Sequence, residues 1–331
     1  MTNKKRLHLL NVLRVFAILL VFNSHSDALY PIPALATGGA LGNALFFIIS
    51  GYLLKIRSSF LPHIGKRIAR LYPGAFVVVT IYIIIGNIKL NGFGDFVFYY
   101  IWPTNFWFLG AILLFDILTF CLEKLHFRDH FLWFSLIMAA IYFMAYIFLV
   151  DNSVWSVEEP GLQNAAQWFK MIYYYYIYVL GYCLSQKPEK SLSSSPKKIL
   201  LLACLFFVLG NAVKLLFVWH TGLLKVQFLP QLLGIAFAYF ALRAGLIYEE
   251  RFLAVTSERF RRFVGALSNM SLEMYLVQFM AIGYLGVRFA FPLNIVIALA
   301  ATVAAAFILA KIDQWLCKAV INLFSHGRLS N

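Results

Sequence analysis

The stretch "RVFAILLVFNSH", residues 14–25, opens on an arginine, closes on a histidine and is apolar between them except for Asn23 and Ser24. With its flanks it is the first of a series of apolar runs of roughly 17–25 residues, the length a bilayer demands of a helix. Ionisable groups inside such a run are costly, and they are kept where they face protein, a wet cavity or the interface. At about 100° per residue, the step from 14 to 25 ends roughly 20° past three full turns. Arg14 and His25 are therefore predicted to share one helical face, about 16 Å apart along the axis, or about half a hydrocarbon core.

The rest of the chain follows the same pattern. It has 331 residues, of which 62% are hydrophobic and 13% charged, with a mean hydropathy of +0.79. A water-soluble domain carries about 25% charged residues. The fold class predicted is an all-α polytopic membrane protein, because helices are the means by which apolar runs of this length cross a bilayer. About ten transmembrane helices are expected, near 8–30, 42–57, 71–87, 105–122, 131–150, 168–185, 199–219, 226–247, 263–284 and 293–316.

A net charge of +14 could suggest nucleic acid, but its distribution argues otherwise. Alternate segments, counted with the span ends that adjoin them, hold 20 of the 28 basic residues, against five on the opposite side: Lys89, Lys170, Lys214, Lys225 and Arg288. That bias follows the positive-inside rule and predicts cytoplasmic N- and C-termini. Basicity is then a topology signal, and no nucleic-acid partner is needed. Cys121, Cys183, Cys204 and Cys317 are scattered without a CxxC pair, so neither a disulfide framework nor a metal site is expected. The first apolar run lacks a small-residue cleavage site and reads as a retained helix. Residues 1–331 are expected to form a single integral-membrane domain with no appended soluble domain. The longest polar stretches are a basic linker at 185–198 and an outer loop at 150–167. No internal repeat of the transporter kind is visible.

Four further motifs occur in order: "NALFFIISGYLL" (43–54), "KRIARLYP" (66–73), "NFWFLGAILLF" (105–115) and "LSNMSLEMYLVQ" (267–278). With Arg14-x10-His25 they resemble the membrane acyltransferase-3 family over nearly the whole chain. That resemblance implies a membrane acyltransferase moving an acyl group from cytoplasmic acyl-CoA, most often acetyl-CoA, to an extracytoplasmic acceptor. The acceptor implied is a surface polysaccharide or its lipid-linked precursor, and the location a bacterial cytoplasmic membrane. Relatives often carry an extra hydrolase-like domain, so the chain is expected to transfer directly or to work with glycan-assembly partners or as a homo-oligomer.

The resemblance makes Arg14 and His25 the catalytic candidates, with His25 as general base or as acyl-accepting nucleophile. It makes Arg67 and Arg70 the cytoplasmic Arg-x-x-Arg pair, with the CoA nucleotide expected among Arg14, Arg67 and Arg70. Spacing of three puts Arg67 and Arg70 on adjacent turns, and guanidinium is the best fork for phosphate. Both arginines could equally be positive-inside anchors. Ser50 either lines an acyl channel or serves as packing glue, because no GxSxG elbow surrounds it. Gly51 reads as a close-packing residue. Asn23, Ser26, Trp107, Trp155 and Glu158 are candidate acceptor contacts. The run "YYYYIY" (173–178) reads as interfacial aromatics, or else as a sugar-stacking surface. Gln278 stands where family members often carry histidine, which removes an acid–base role there. Asp116 and Glu273 are expected to pair with Arg243, Lys311 or backbone groups. The rival class is a transporter or flippase of a glycan lipid or small metabolite.

Overall fold

The computed structural model describes residues 7–56, 59–101, 106–155, 164–186 and 195–326. Among them every regular element is helical: α1 (His8–Ser24), α2 (Gly39–Leu53), α3 (Phe60–Ile84), α4 (Phe93–Phe96), α5 (Trp107–Lys124), α6 (Phe131–Leu149), α7 (Asn164–Gln186), α8 (Pro196–Trp219), α9 (Leu229–Ile247), α10 (Glu249–Val255), α11 (Glu258–Asn269), α12 (Ser271–Tyr284) and α13 (Leu293–His326). Short 3-10 and π turns link several of them. Among the described residues six helices are long and apolar enough to cross a membrane, or up to seven when a bent pair is counted as one span. The chain is therefore a multi-pass membrane protein. The shortfall from ten has physical causes. Helix α1, with 17 residues, is about 25 Å long against a hydrocarbon core of about 30 Å, α5 carries Asp116, Glu123 and Lys124 within its 18 residues, and α7 is diluted by its tyrosines and polar residues.

Three expected boundaries move. The first helix stops at Ser24 rather than at 30. Ser24 and Ser26 turn their hydroxyls back onto the carbonyls of Val21 and Phe22, and Pro31 and Pro33 follow, so the backbone leaves the helix through short 3-10 turns. The third helix starts at Phe60, well before 71, and runs from "FLPHIGKRIAR" past the interior Pro73 into the apolar run. The ninth apolar run is interrupted between Asn269 and Ser271, giving α11 and α12.

The chain forms two compact units, each from two segments. The first comprises residues 1–54 and 122–269. Its centre is α2, which packs against α1, α7 and α9. Leu45, Phe46, Phe47, Ile48 and Ile49 of α2 are all buried, as expected of a helix that is apolar all round. Helix α8 lies on α9, α6 on α7, and α11 on α1. The α2–α7 crossing is close because glycines face backbone on both sides. A Cβ on Gly51 would sit 1.9 Å from the Tyr178 carbonyl oxygen, and one on Gly181 would sit 2.1 Å from that of Ile48. The close-packing role expected of Gly51 is thus what the structure has. The second unit comprises residues 55–121 and 270–331, in which α12, α13 and α3 pack together.

Candidate functional site

In the first unit, α1 carries a buried stripe at Leu10, Ala17, Ile18 and Val21, while Phe16 and Leu19 on the other side are 37% and 38% exposed. Arg14 lies four residues after Leu10 and His25 four after Val21, so both fall on that stripe. Both are half-buried. The N-terminus of α1 is fixed from a distance: the buried Glu249 carboxylate accepts the backbone N–H groups of His8 and Leu9, each at 2.7 Å. A carboxylate there satisfies orphan donors and matches the positive end of the helix dipole. Sequence inspection did not find Glu249, which is separated from His8 by 241 positions.

His25 is the C-cap of α1, its N–H donating to the Phe22 carbonyl at 3.2 Å. Asp27 and the buried Lys170 of α7 are charged groups that act on the imidazole. Lys170 had been placed by sequence among the outer-side cations, and nothing in the linear pattern tied it to His25. Asn23 directs its amide into the following loop, donating to the carbonyls of Leu35 (3.0 Å) and Thr37 (2.9 Å), while its Oδ1 accepts the Tyr30 hydroxyl. Ser26 is fully buried, and its hydroxyl donates to the Phe22 carbonyl at 2.8 Å.

Helices α1 and α2 run antiparallel, since a Cβ on Gly39 would meet Ser24 and one on Gly42 would meet Ala17 and Val21. At about 1.5 Å per residue, Ser50 is therefore level with the Arg14 end of α1 and not with His25. Ser50 is half-buried.

In the second unit, Arg67 and Arg70 lie within the first half of α3 rather than in a loop before it. Arg67 forms an ion pair with Asp116 of α5: Nε is 2.5 Å from Oδ2, and Nη2 donates to Oδ1 at 3.3 Å. Arg70 is exposed and acts electrostatically on Asp313 of α13, itself nearly buried. The expected partners of Asp116 are thus corrected. Arg243 instead donates to the Tyr239 hydroxyl (3.1 Å), and Lys311 rests over the Phe307 ring, 5.4 Å from its centroid. Glu273 is buried in the first turn of α12, where the helix dipole favours an acid. Ser271, Tyr275 and Gln278 are buried on the same helix.

The remaining candidates are dispersed. Trp107 opens α5 in the second unit, its ring against Phe108. Trp155 closes a loop of the first unit, edge-on to Phe217 with centroids 5.2 Å apart. The preceding residues are held by Gln227, whose amide donates to the Asp151 and Val154 carbonyls. Hydrogen bonds from the Ser153 hydroxyl and N–H hold the Asp151 carboxyl below its usual range. Glu158 lies outside the described residues. Of the tyrosine run, Tyr173, Tyr174, Tyr175 and Tyr178 are buried, with Tyr174 against Phe47, while Tyr176 is half-buried. A helix wedged against α2, α6 and α9 has little outer surface left, so most of these tyrosines became core.

A protein-family model described as an acyltransferase domain, Acyl_transf_3, matches residues 7–311. The chain belongs to this acyltransferase family. The match runs from the residue before α1 into α13, so it takes in most of both units of the acyltransferase. No curated protein and no solved structure matches the acyltransferase significantly. Membership makes the chain a membrane acyltransferase and supersedes the transporter reading.

Proposed function

We propose that this acyltransferase moves an acyl group, acetyl first among the options, from cytoplasmic acyl-CoA to a hydroxyl of an extracytoplasmic surface glycan or its lipid-linked precursor. The observation that carries the reading is the α1 stripe, on which a cation near mid-helix and an imidazole at the C-cap are both half-buried. In the first unit, neutral His25 takes the proton of the acceptor hydroxyl as its oxygen attacks the thioester carbonyl carbon. The C–S bond then breaks, and the CoA thiolate leaves and takes up that proton. Arg14 serves the same stripe as an anion ligand. In the second unit, Arg67 and Arg70 are the phosphate ligands of the donor, as planar guanidinium groups suit phosphate oxygens. The membrane arrangement that goes with this is ten crossings with both termini cytoplasmic, in a bacterial inner membrane. Of the acceptor-side candidates Asn23, Ser26, Trp107, Trp155 and Glu158, the first two are already committed to backbone carbonyls of the first unit, so the acceptor role falls to the others.

The test has two parts. Surface-glycan ester content is compared with and without the gene and with His25→Ala, the variant being checked for membrane abundance. Loss of O-acyl groups in both, with the variant present at wild-type level, is expected. Retained esters in His25→Ala would sink the assignment of the base. Purified protein in liposomes given labelled acetyl-CoA without acceptor should stay unlabelled; label on the protein would replace the base role of His25 with an acyl-imidazole route.

A further inference from the structure

We propose that Asp116 is a positioning residue for donor binding, its carboxylate holding the Arg67 guanidinium so that the Nη1 end is presented to a donor phosphate. This rests on the reading of Arg67 as a phosphate ligand. Asp116 is fully buried, while Arg67 keeps 24% of its side-chain exposure. The carboxylate lies against the Nε–Nη2 edge, at 2.5 Å from Nε and 3.3 Å from Nη2. Guanidinium is a rigid plane of five N–H donors, so fixing one edge fixes the direction of the donors on the other. The two helices that supply the pair are themselves braced. Phe120, one turn beyond Asp116 on α5, packs on Phe60 with centroids 5.3 Å apart and on His63 at 5.7 Å, both from α3.

Two simpler accounts compete. A phosphate could draw Arg67 away from Asp116, but that would part a fully buried carboxylate from a cation 2.5 Å away, and breaking a buried pair is strongly destabilising. Alternatively, the pair could do no more than neutralise charge between two apolar helices. Charge neutralisation alone has no use for the orientation of the fork, and that difference can be measured.

The experiment is steady-state transfer from acetyl-CoA by the full chain in liposomes, for wild type, Asp116→Asn, Arg67→Ala, the double variant and Arg67→Lys. Asp116→Asn should raise KM for acetyl-CoA about tenfold, equivalent to roughly 1.4 kcal/mol, with kcat within about twofold. The double variant should be no worse than Arg67→Ala, since a residue that acts through another has nothing left to position. Arg67→Lys keeps the charge and loses the fork, so it too should raise KM; this arm decides even if Asp116→Asn fails to fold. Unchanged or lowered KM in Asp116→Asn or Arg67→Lys, with a raised KM in Arg67→Ala, would overturn the positioning role and leave the donor reading standing. A fall in kcat at unchanged KM would reassign Asp116 to a structural role. An unchanged KM in Arg67→Ala would remove the donor reading itself.

Discussion

Asn23 was a candidate acceptor contact by its type and its place beside His25, yet its amide is engaged at both ends. Two N–H groups go to the carbonyls of Leu35 and Thr37, and its oxygen receives Tyr30. The side chain therefore ties the residues after His25 to the end of α1. Removing it leaves two carbonyls and a phenol seeking partners, each worth about 1–3 kcal/mol where water cannot replace the bond. Asn23→Ala should lower thermal stability in detergent and speed proteolysis between 30 and 37, while membrane abundance stays near wild type. An unchanged cleavage pattern would show that packing of Leu29, which is buried, is sufficient to hold the loop. Arg67 makes the converse point. Its residue type and spacing suggested anion binding, but its partner Asp116 lies 49 positions away, and no single-sequence pattern selects that carboxylate over others. Residue chemistry was legible, whereas partnership was not.

At the scale of elements, apolar length located most of the helices because a bilayer-sized run admits little else. The failures occurred where side-chain chemistry overrode hydropathy. Helix α1 ends in a cluster of hydroxyls that bond back to their own backbone, and α3 runs straight through a basic segment that hydropathy assigns to a loop. Helix α7 was placed correctly but the burial of its tyrosines was not foreseen, because tyrosine suits both an interface and a tight core and only its neighbours decide between them. Glycine was read correctly at 51, and its counterpart at 181 completes the contact. Each position tolerates no Cβ unless α2 and α7 separate, and overpacking of this kind costs about 1–3 kcal/mol or more. Gly51→Ala and Gly181→Ala should each lower the unfolding temperature. The double variant should lose less than the sum of the singles, since one separation of the helices relieves both clashes. Strict additivity, measured by thermal unfolding of the three variants, would show that the two sites yield independently.

At the scale of the whole molecule, the membrane sets the constraints that contacts set locally. The all-helical, multi-pass character follows from composition, and among the described residues six or seven helices are long and apolar enough to cross. Helices such as α1, whose length falls just short of the hydrocarbon core, can still cross where the bilayer thins or flanking side chains reach for the interface. Exposed Trp133, Trp219 and Trp315 are suited to such anchoring, because indole prefers the headgroup level. The expected orientation rests on charge alone, counted over the ten expected spans: 20 basic residues on one side against five on the other. If charge sets it here, a cysteine at position 190 in the basic linker should react with a membrane-impermeant maleimide only after the cells are opened. One replacing Glu158 in the opposite loop should react in intact cells. Both belong in a background lacking Cys121, Cys183, Cys204 and Cys317, as Cys121 and Cys204 are themselves exposed. Labelling of both positions from the same side would mean an odd number of crossings is wrong between 158 and 190. That would put α7, the one helix joining them, out of the set that spans, and with it the route by which a cytoplasmic donor could serve an outer acceptor.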